Sequence, residues 1–120
     1  MARALVHSTR GPEDPTVSAL ALLVARSAVE EGHVVAVFLA GDAVMLMRDE
    51  VRGQVEGLGT GSADEHLSAL VAAGVQIWVS GKSAAARGLD EGELASAGAA
   101  FAMPSVLVRE SLASNRMFTY

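Results

Sequence analysis

Short apolar runs alternate with longer stretches of helical period along this chain. Ala4-Leu5-Val6 lies within a run from Arg3 to Ser8 that is bounded by polar residues, as expected of a buried parallel strand. Ser8-Thr9-Arg10-Gly11-Pro12-Glu13-Asp14-Pro15 is rich in turn residues and predicts a loop. Asp14 is placed to cap a following helix with Pro15 at its first position. Leu20, Leu23, Val24 and Ala28 recur at helical spacing and predict the buried face of that helix, which Gly32 ends. Val34 to Leu39 is the clearest strand. Gly41-Asp42 then turns the chain into a short apolar helical segment, Ala43 to Met47.

From Glu50 to Ser62 the sequence becomes polar and glycine-rich, which predicts an exposed, mobile connection. Ser62 and Glu65 have capping-box spacing and open a helix to about Ala73, ended by Gly74. Gln76 to Val79 is a third strand, followed by the loop Ser80-Gly81-Lys82-Ser83 and a short helix, Ala84 to Arg87, that Gly88 breaks. Asp90 and Glu93 repeat the capping-box spacing. Ala99 to Ala102, a helix from Pro104 to about Ser114, and a closing strand Arg116 to Thr119 complete the pattern. Strands alternating with helices predict a single α/β domain over residues 1–120. The expected architecture is a three-layer α/β/α sandwich on a mainly parallel five-stranded sheet. In such sheets ligands sit at the carboxyl ends of the strands. That rule selects three loops, Ser8 to Asp14, Ala40 to Asp42, and Ser80 to Ser83.

Composition narrows the chemistry. The 120 residues suit one domain, and 51% hydrophobic content excludes a disordered tail. No apolar run approaches the length of a membrane span, and no signal-peptide core follows Met1-Ala2-Arg3, so a cytoplasmic location is expected. A net charge of −5 and the lack of a basic stripe argue against nucleic acid and anionic membranes as partners. Lys82 is the sole lysine. Cysteine is absent, which removes disulfides, thiolate metal sites and thiol nucleophiles together.

The local motifs are incomplete. Gly81-Lys82-Ser83 follows a strand and precedes a helix, but a nucleotide-binding P-loop needs glycine where this chain has Gln76. Gly57, Gly59 and Gly61 have part of a dinucleotide-binding spacing, with Ser62 at the sixth position and no strand before them. His7, His33 and His66 lack ligand-like spacing; His7, near the end of the first strand, is the one placed to face a site. Ser80 and Ser83 have no Gly-x-Ser-x-Gly elbow around them, and Ser83 reads otherwise as the cap of the short helix. No cofactor or metal is expected. What remains is a small-anion loop, with Lys82 and the start of the next helix as its positive elements and Ser80, Ser83 and Arg87 beside them. Arg87 reads equally as surface charge or as half of an intersubunit ion pair.

The string Ile77-Trp78-Val79-Ser80-Gly81-Lys82-Ser83-Ala84-Ala85-Ala86-Arg87-Gly88-Leu89 resembles the active-site segment of DsrE/DsrF-like (YchN-like) proteins, including the TusD-type sulfur carriers. There an apolar strand ends at a cysteine, a short small-residue helix follows, and Arg-Gly closes it. Counting back from Arg87-Gly88, Ser80 stands where that cysteine is expected, and Ser83 where some relatives carry another. Gly32-His33-Val34-Val35-Ala36-Val37-Phe38 is similar to the family's second strand, Gly41-Asp42-Ala43-Val44 to its "GDGV" turn, and Ala102 to Tyr120 to its last helix and closing strand. The resemblance implies persulfide transfer by a cysteine thiolate and assembly as a homotrimer or hexamer. A serine hydroxyl forms no persulfide, so that mechanism does not pass to Ser80.

The expectation is therefore a non-catalytic family member that binds a small ligand or anion, or serves as a partner subunit. No catalytic residue is assigned. The candidate ligand-binding set is Ser8, Thr9, Arg10, Gly41, Asp42, Ser80, Gly81, Lys82, Ser83 and Arg87. The expected partners are further copies of the chain, with a small anion or a paralogous subunit in addition. Crowded Met45, Leu46 and Met47 are the expected exposed apolar contact. The alternatives are a sulfur-relay protein whose cysteine was lost, and an enzyme using Lys82, Ser80 or Arg87.

Overall fold

A computed structural model describes residues 1–120. Five strands form one sheet in the order β6-β5-β2-β1-β7, and every neighbouring pair is parallel. They are β1 (Arg3–Ser8), β2 (Val34–Leu39), β5 (Gln76–Ser80), β6 (Ala100–Ala102) and β7 (Arg116–Thr119). The helices are α1 (Pro15–Glu30), α2 (Asp49–Arg52), α3 (Ala63–Ala72), α4 (Gly81–Ala86), α5 (Glu91–Ser96) and α6 (Pro104–Ala113), with a 3-10 helix over Gly41–Met47. Helices cover both sides of the sheet, so the three-layer parallel architecture expected from the sequence is the one observed.

The layers are unequal. From β1 through β2 and β5 to β6 each crossover advances in one direction across the sheet. Right-handed crossovers then place the intervening helices on one face. Val6, Val35, Val37, Leu39, Ile77 and Val79 point to that face and join a core of 21 residues with Leu22, Leu46, Leu70 and Leu94. The single return crossover, β6 to β7, carries α6 to the opposite face. There the buried cluster is only Leu5, Phe38 and Ala102, and no residue of α6 is itself buried.

Four expectations change. The buried stripe of α1 is Ser18, Ala21, Leu22 and Ala25, with Ala19, whereas Leu20, Leu23, Val24 and Ala28 are only half-buried. This helix is apolar nearly all round, and its small residues allow close approach to the sheet. Packing, not periodicity, chose the inner face. The Asp14 cap (Oδ1 accepts from the Val17 N–H at 3.2 Å) and the stop before Gly32 are as expected.

Residues 50–62 are not a loose connection. They contain α2 and a two-stranded antiparallel hairpin, β3 (Glu56–Gly57) with β4 (Gly61–Ser62). Arg52 anchors the segment: its guanidinium is buried and donates to Asp64 at 2.8 Å, Asp49 at 2.6 Å and the Leu46 carbonyl at 2.7 Å. Thr60 Oγ1 donates to the Thr16 carbonyl at 2.9 Å and pins the hairpin to α1.

Leu46 and Met47 are fully buried and Met45 half-buried, so they are core and not an exposed contact. The segment is buried because the 3-10 helix packs against β5, α2 and α4. Finally, β5 runs through Ser80 and α4 begins at once at Gly81. The residues expected to form a loop there are strand end and helix start. Ser80, not Ser83, supplies the cap.

Candidate functional site

The carboxyl ends of β1, β2 and β5 meet around Gly41-Asp42. Gly41 has φ +55°, a left-handed conformation that favours glycine and lets the chain turn sharply out of β2. Gly11 packs so closely on Asp42 that any side-chain carbon at position 11 would collide with the Asp42 carbonyl. Ala40 N–H donates to the Ser8 carbonyl at 3.0 Å. The first loop is thus fastened to the second through backbone.

The third loop is fastened by side chains. Ser80 Oγ accepts from the Ser83 N–H at 3.2 Å, closing the first turn of α4. Ser83 Oγ accepts from the Gly41 N–H at 2.9 Å. Arg87 donates from Nη2 to Asp42 Oδ1 at 2.9 Å, from Nε to the same oxygen at 3.3 Å, and from Nη1 to the Ser83 carbonyl at 3.2 Å. Ser80 is buried, so its hydroxyl is held as an internal acceptor at the strand end.

The candidate set divides accordingly. Gly41, Asp42, Ser80, Ser83 and Arg87 come together in one hydrogen-bonded cluster. Ser8 is buried beneath it and accepts from the Arg10 N–H at 3.3 Å. Gly81 is half-buried at the start of α4. Thr9 is exposed and turned toward the chain end, its Oγ1 donating to the Tyr120 carbonyl at 3.4 Å. Arg10 and Lys82 are exposed and take part in none of the six ion pairs. They are the two uncommitted cations at this end of the sheet. Arg87, by contrast, finds its carboxylate within the chain.

The supporting contacts of Arg48 were not legible in the sequence. Arg48 donates to Glu93 at 2.9 Å and to the carbonyls of Arg87 and Gly88 at 3.2 and 3.1 Å, holding the end of α4. Glu93 also completes the capping box with Asp90. The Asp90/Glu93 spacing is the signal that predicts the cap. Nothing local links Arg48 to a residue 45 positions away.

His7 lies on the α6 side of the sheet, in register with Phe38, which is in register with Trp78. Its ring meets Phe38 edge-on at 6.0 Å. His7 Nδ1 and Trp78 Nε1 are buried without hydrogen-bond partners. Burial pushes the His7 pKa below its ordinary value, because desolvation disfavours the charged ring. His33 and His66 are structural. His33 Nδ1 accepts from the Ala2 N–H at 3.0 Å. His66 is buried with Nε2 at 2.7 Å from the Thr60 carbonyl, so that nitrogen carries the proton.

Comparison with known proteins places this arrangement. No curated protein sequence matches the chain. Among solved structures, the ychN protein of E. coli matches with a TM-score of 0.78 at 20% identity, covering 100% of both chains. A conserved protein of unknown function from Bacteroides thetaiotaomicron matches with a TM-score of 0.71 at 13% identity, over 99% of this chain and 95% of the other. At these identities the likeness is one of fold. The DsrE/DsrF-like family model matches residues 2–120, nearly the whole chain. The chain, cysteine-free as it is, therefore belongs to the DsrE/DsrF-like family.

Proposed function

We propose that this chain is a non-catalytic member of its family, a subunit of a homo-oligomer that binds a small anion at the loop end of the sheet and relays no sulfur. The observation that carries the subunit reading is α6. Val106 and Leu107 turn inward, yet Val108 and Leu112 project outward, with Leu112 83% exposed. A helix apolar on both sides is normally covered on both. Met103, at its start, and Met117, on the same face of the sheet, extend the exposed apolar surface. A trimer or hexamer is the assembly that the family resemblance implies.

The absence of sulfur relay follows from chemistry. The position expected for the thiolate is a serine whose oxygen already closes α4. The same commitment weighs against an enzyme built on Ser80 and Arg87, since both are engaged in holding the loops together. For an anion, Lys82 and Arg10 supply the free positive charge, and an affinity on the order of 1 mM is expected from two exposed cations.

Static light scattering at tens of micromolar tests the assembly. A mass of three or six chains supports the reading, and a monomer mass sinks it. NMR titration with inorganic phosphate and sulfate tests the site. Shifts at Lys82 and Arg10 that vanish in Lys82→Ala support it, and no response at tens of millimolar removes it.

A further inference from the structure

At the amino ends of β1 and β7, opposite the loop end of the sheet, the end of α1 and the edge strand leave a cavity of about 320 Å³ between them. That volume lies at the small end of the range for ligand pockets, roughly 300–1,000 Å³. The walls are apolar: Ala4 of β1, Val24 and Ala28 of α1, and Phe118 of β7. Arg116 and Phe118 take this side of the sheet because their register partners are Ala4 and Val6, which face α1. Alanine at positions 2, 4 and 28 leaves the space open. Phe118 is still 41% exposed.

Two opposite charges line the same cavity, and neither is neutralised within the chain. Arg116 and Glu31 take part in none of the six ion pairs, so they also stand farther apart than an ion pair. Nη1 of Arg116 donates to the Asn115 carbonyl at 2.7 Å, which leaves Nη2 and Nε free. Glu31 caps the carboxyl end of α1, and the last turn of that helix has no basic residue. The partial negative charge of a helix carboxyl end adds to the carboxylate and favours a cation there. Arg3 also lines the cavity, but its guanidinium is engaged by Glu110 at 3.3 Å. The cavity thus joins one cation-seeking end and one anion-seeking end to an apolar wall.

We propose that this cavity binds a small apolar α-amino acid as its zwitterion. The ligand carboxylate pairs with Arg116, the ammonium pairs with Glu31 at the end of α1, and the ligand side chain packs on Val24, Ala28 and Phe118. A simple carboxylate would meet Arg116 and leave Glu31 an unpaired like charge beside it. A simple amine would leave Arg116 without a partner. Only a ligand with both charges close together satisfies both ends, through charge-assisted hydrogen bonds. The volume suits a single amino acid rather than a peptide. This site is separate from the anion site at the loop end and does not depend on the assembly of the chain.

NMR titration of the full chain with leucine and phenylalanine is expected to shift the amides of Ala4, Val24, Ala28 and Phe118 and to leave Lys82 unmoved. Phenylpropionate and phenethylamine keep the apolar body and lack one charge each. Both should bind about tenfold more weakly than phenylalanine, the worth of one hydrogen bond to a charged group. Arg116 and Glu31 are exposed, so Arg116→Gln and Glu31→Gln leave the packing intact. Arg116→Gln should weaken phenylalanine about tenfold and erase its advantage over phenethylamine, and Glu31→Gln should erase its advantage over phenylpropionate. No shift at the cavity at tens of millimolar amino acid overturns the proposal. Binding of phenylpropionate or phenethylamine as tight as that of phenylalanine overturns it too. Shifts confined to Lys82 and Arg10 would place the carboxylate at the loop end and overturn it as well.

Discussion

Arg87 places two guanidinium nitrogens on one oxygen of Asp42, 45 residues away, and so joins the end of α4 to the turn after β2. Both side chains are partly exposed, 30% for Arg87 and 55% for Asp42, so water screens the pair. A double-mutant cycle with Arg87→Ala and Asp42→Asn is expected to give a coupling of about 0.5 kcal/mol. Urea denaturation measures it. A coupling several times larger would mean that the pair is far better shielded than its exposure implies.

Arg52 is different, because one of its partners cannot return to water. Asp49 and Asp64 are 70% and 50% exposed and can be resolvated, but the Leu46 carbonyl lies in the core. Arg52→Met should destabilise the chain by about 2–3 kcal/mol, from the orphaned carbonyl and the lost ties between α2 and α3. Arg52→Lys should recover little, since a single ammonium does not reproduce a fork with three separate acceptors. Urea midpoints of the two variants against the parent decide this.

His7 gives the stability a pH dependence of known sign. Its pKa in the folded chain lies below the 6.5 of an ordinary histidine, through desolvation. The unfolded chain then binds the proton more readily. The stability contributed by neutral His7 is fully present above 6.5 and is lost as pH falls from there through the folded value. Going from about pH 8 to about pH 5, the parent should lose more stability than His7→Phe does. His33 and His66 are common to both chains, so the difference isolates His7. Identical pH profiles would refute the assignment.

Sulfur chemistry makes a separate expectation. Incubated with a persulfide donor, the parent chain should gain no mass of one sulfur, about 32 Da. Ser80→Cys should gain it, because a thiolate at the start of α4 is favoured by the helix end. That thiolate would attack the outer sulfur of the donor, and the donor leaves as its thiolate. Intact-mass analysis reads both results. A sulfur adduct on the parent chain would contradict the non-catalytic reading.

Ser80→Ala introduces no thiol and removes only the cap, at a cost of about 1 kcal/mol. The thermal midpoint should fall by a few degrees, as that loss implies for a domain of this size. An unchanged midpoint would show that α4 needs no cap.

Much of the fold was written locally. The runs Arg3–Ser8 and Val34–Leu39 were legible as strands with the bounds observed, because a buried parallel strand needs only a short apolar run between polar ends. Asp14, Ser62 and Asp90 announced their helices, since capping is settled within three residues. The lack of a thiol was likewise plain from the sequence. Tertiary structure decided what depends on distant residues. It chose the Ser18-Ala21-Leu22-Ala25 face of α1 over the leucine face, because nearly every side of that helix was apolar and only the sheet could select one. It ordered residues 50–62 around Arg52, whose ties to Asp64 and to the Leu46 carbonyl follow from no helical spacing. It brought Asp42 to Arg87 and Gly41 to Ser83, turning candidate ligand groups into the fasteners of their own loops. And it left the edge of β7 open, since which strand ends a sheet is a property of topology and of no single residue.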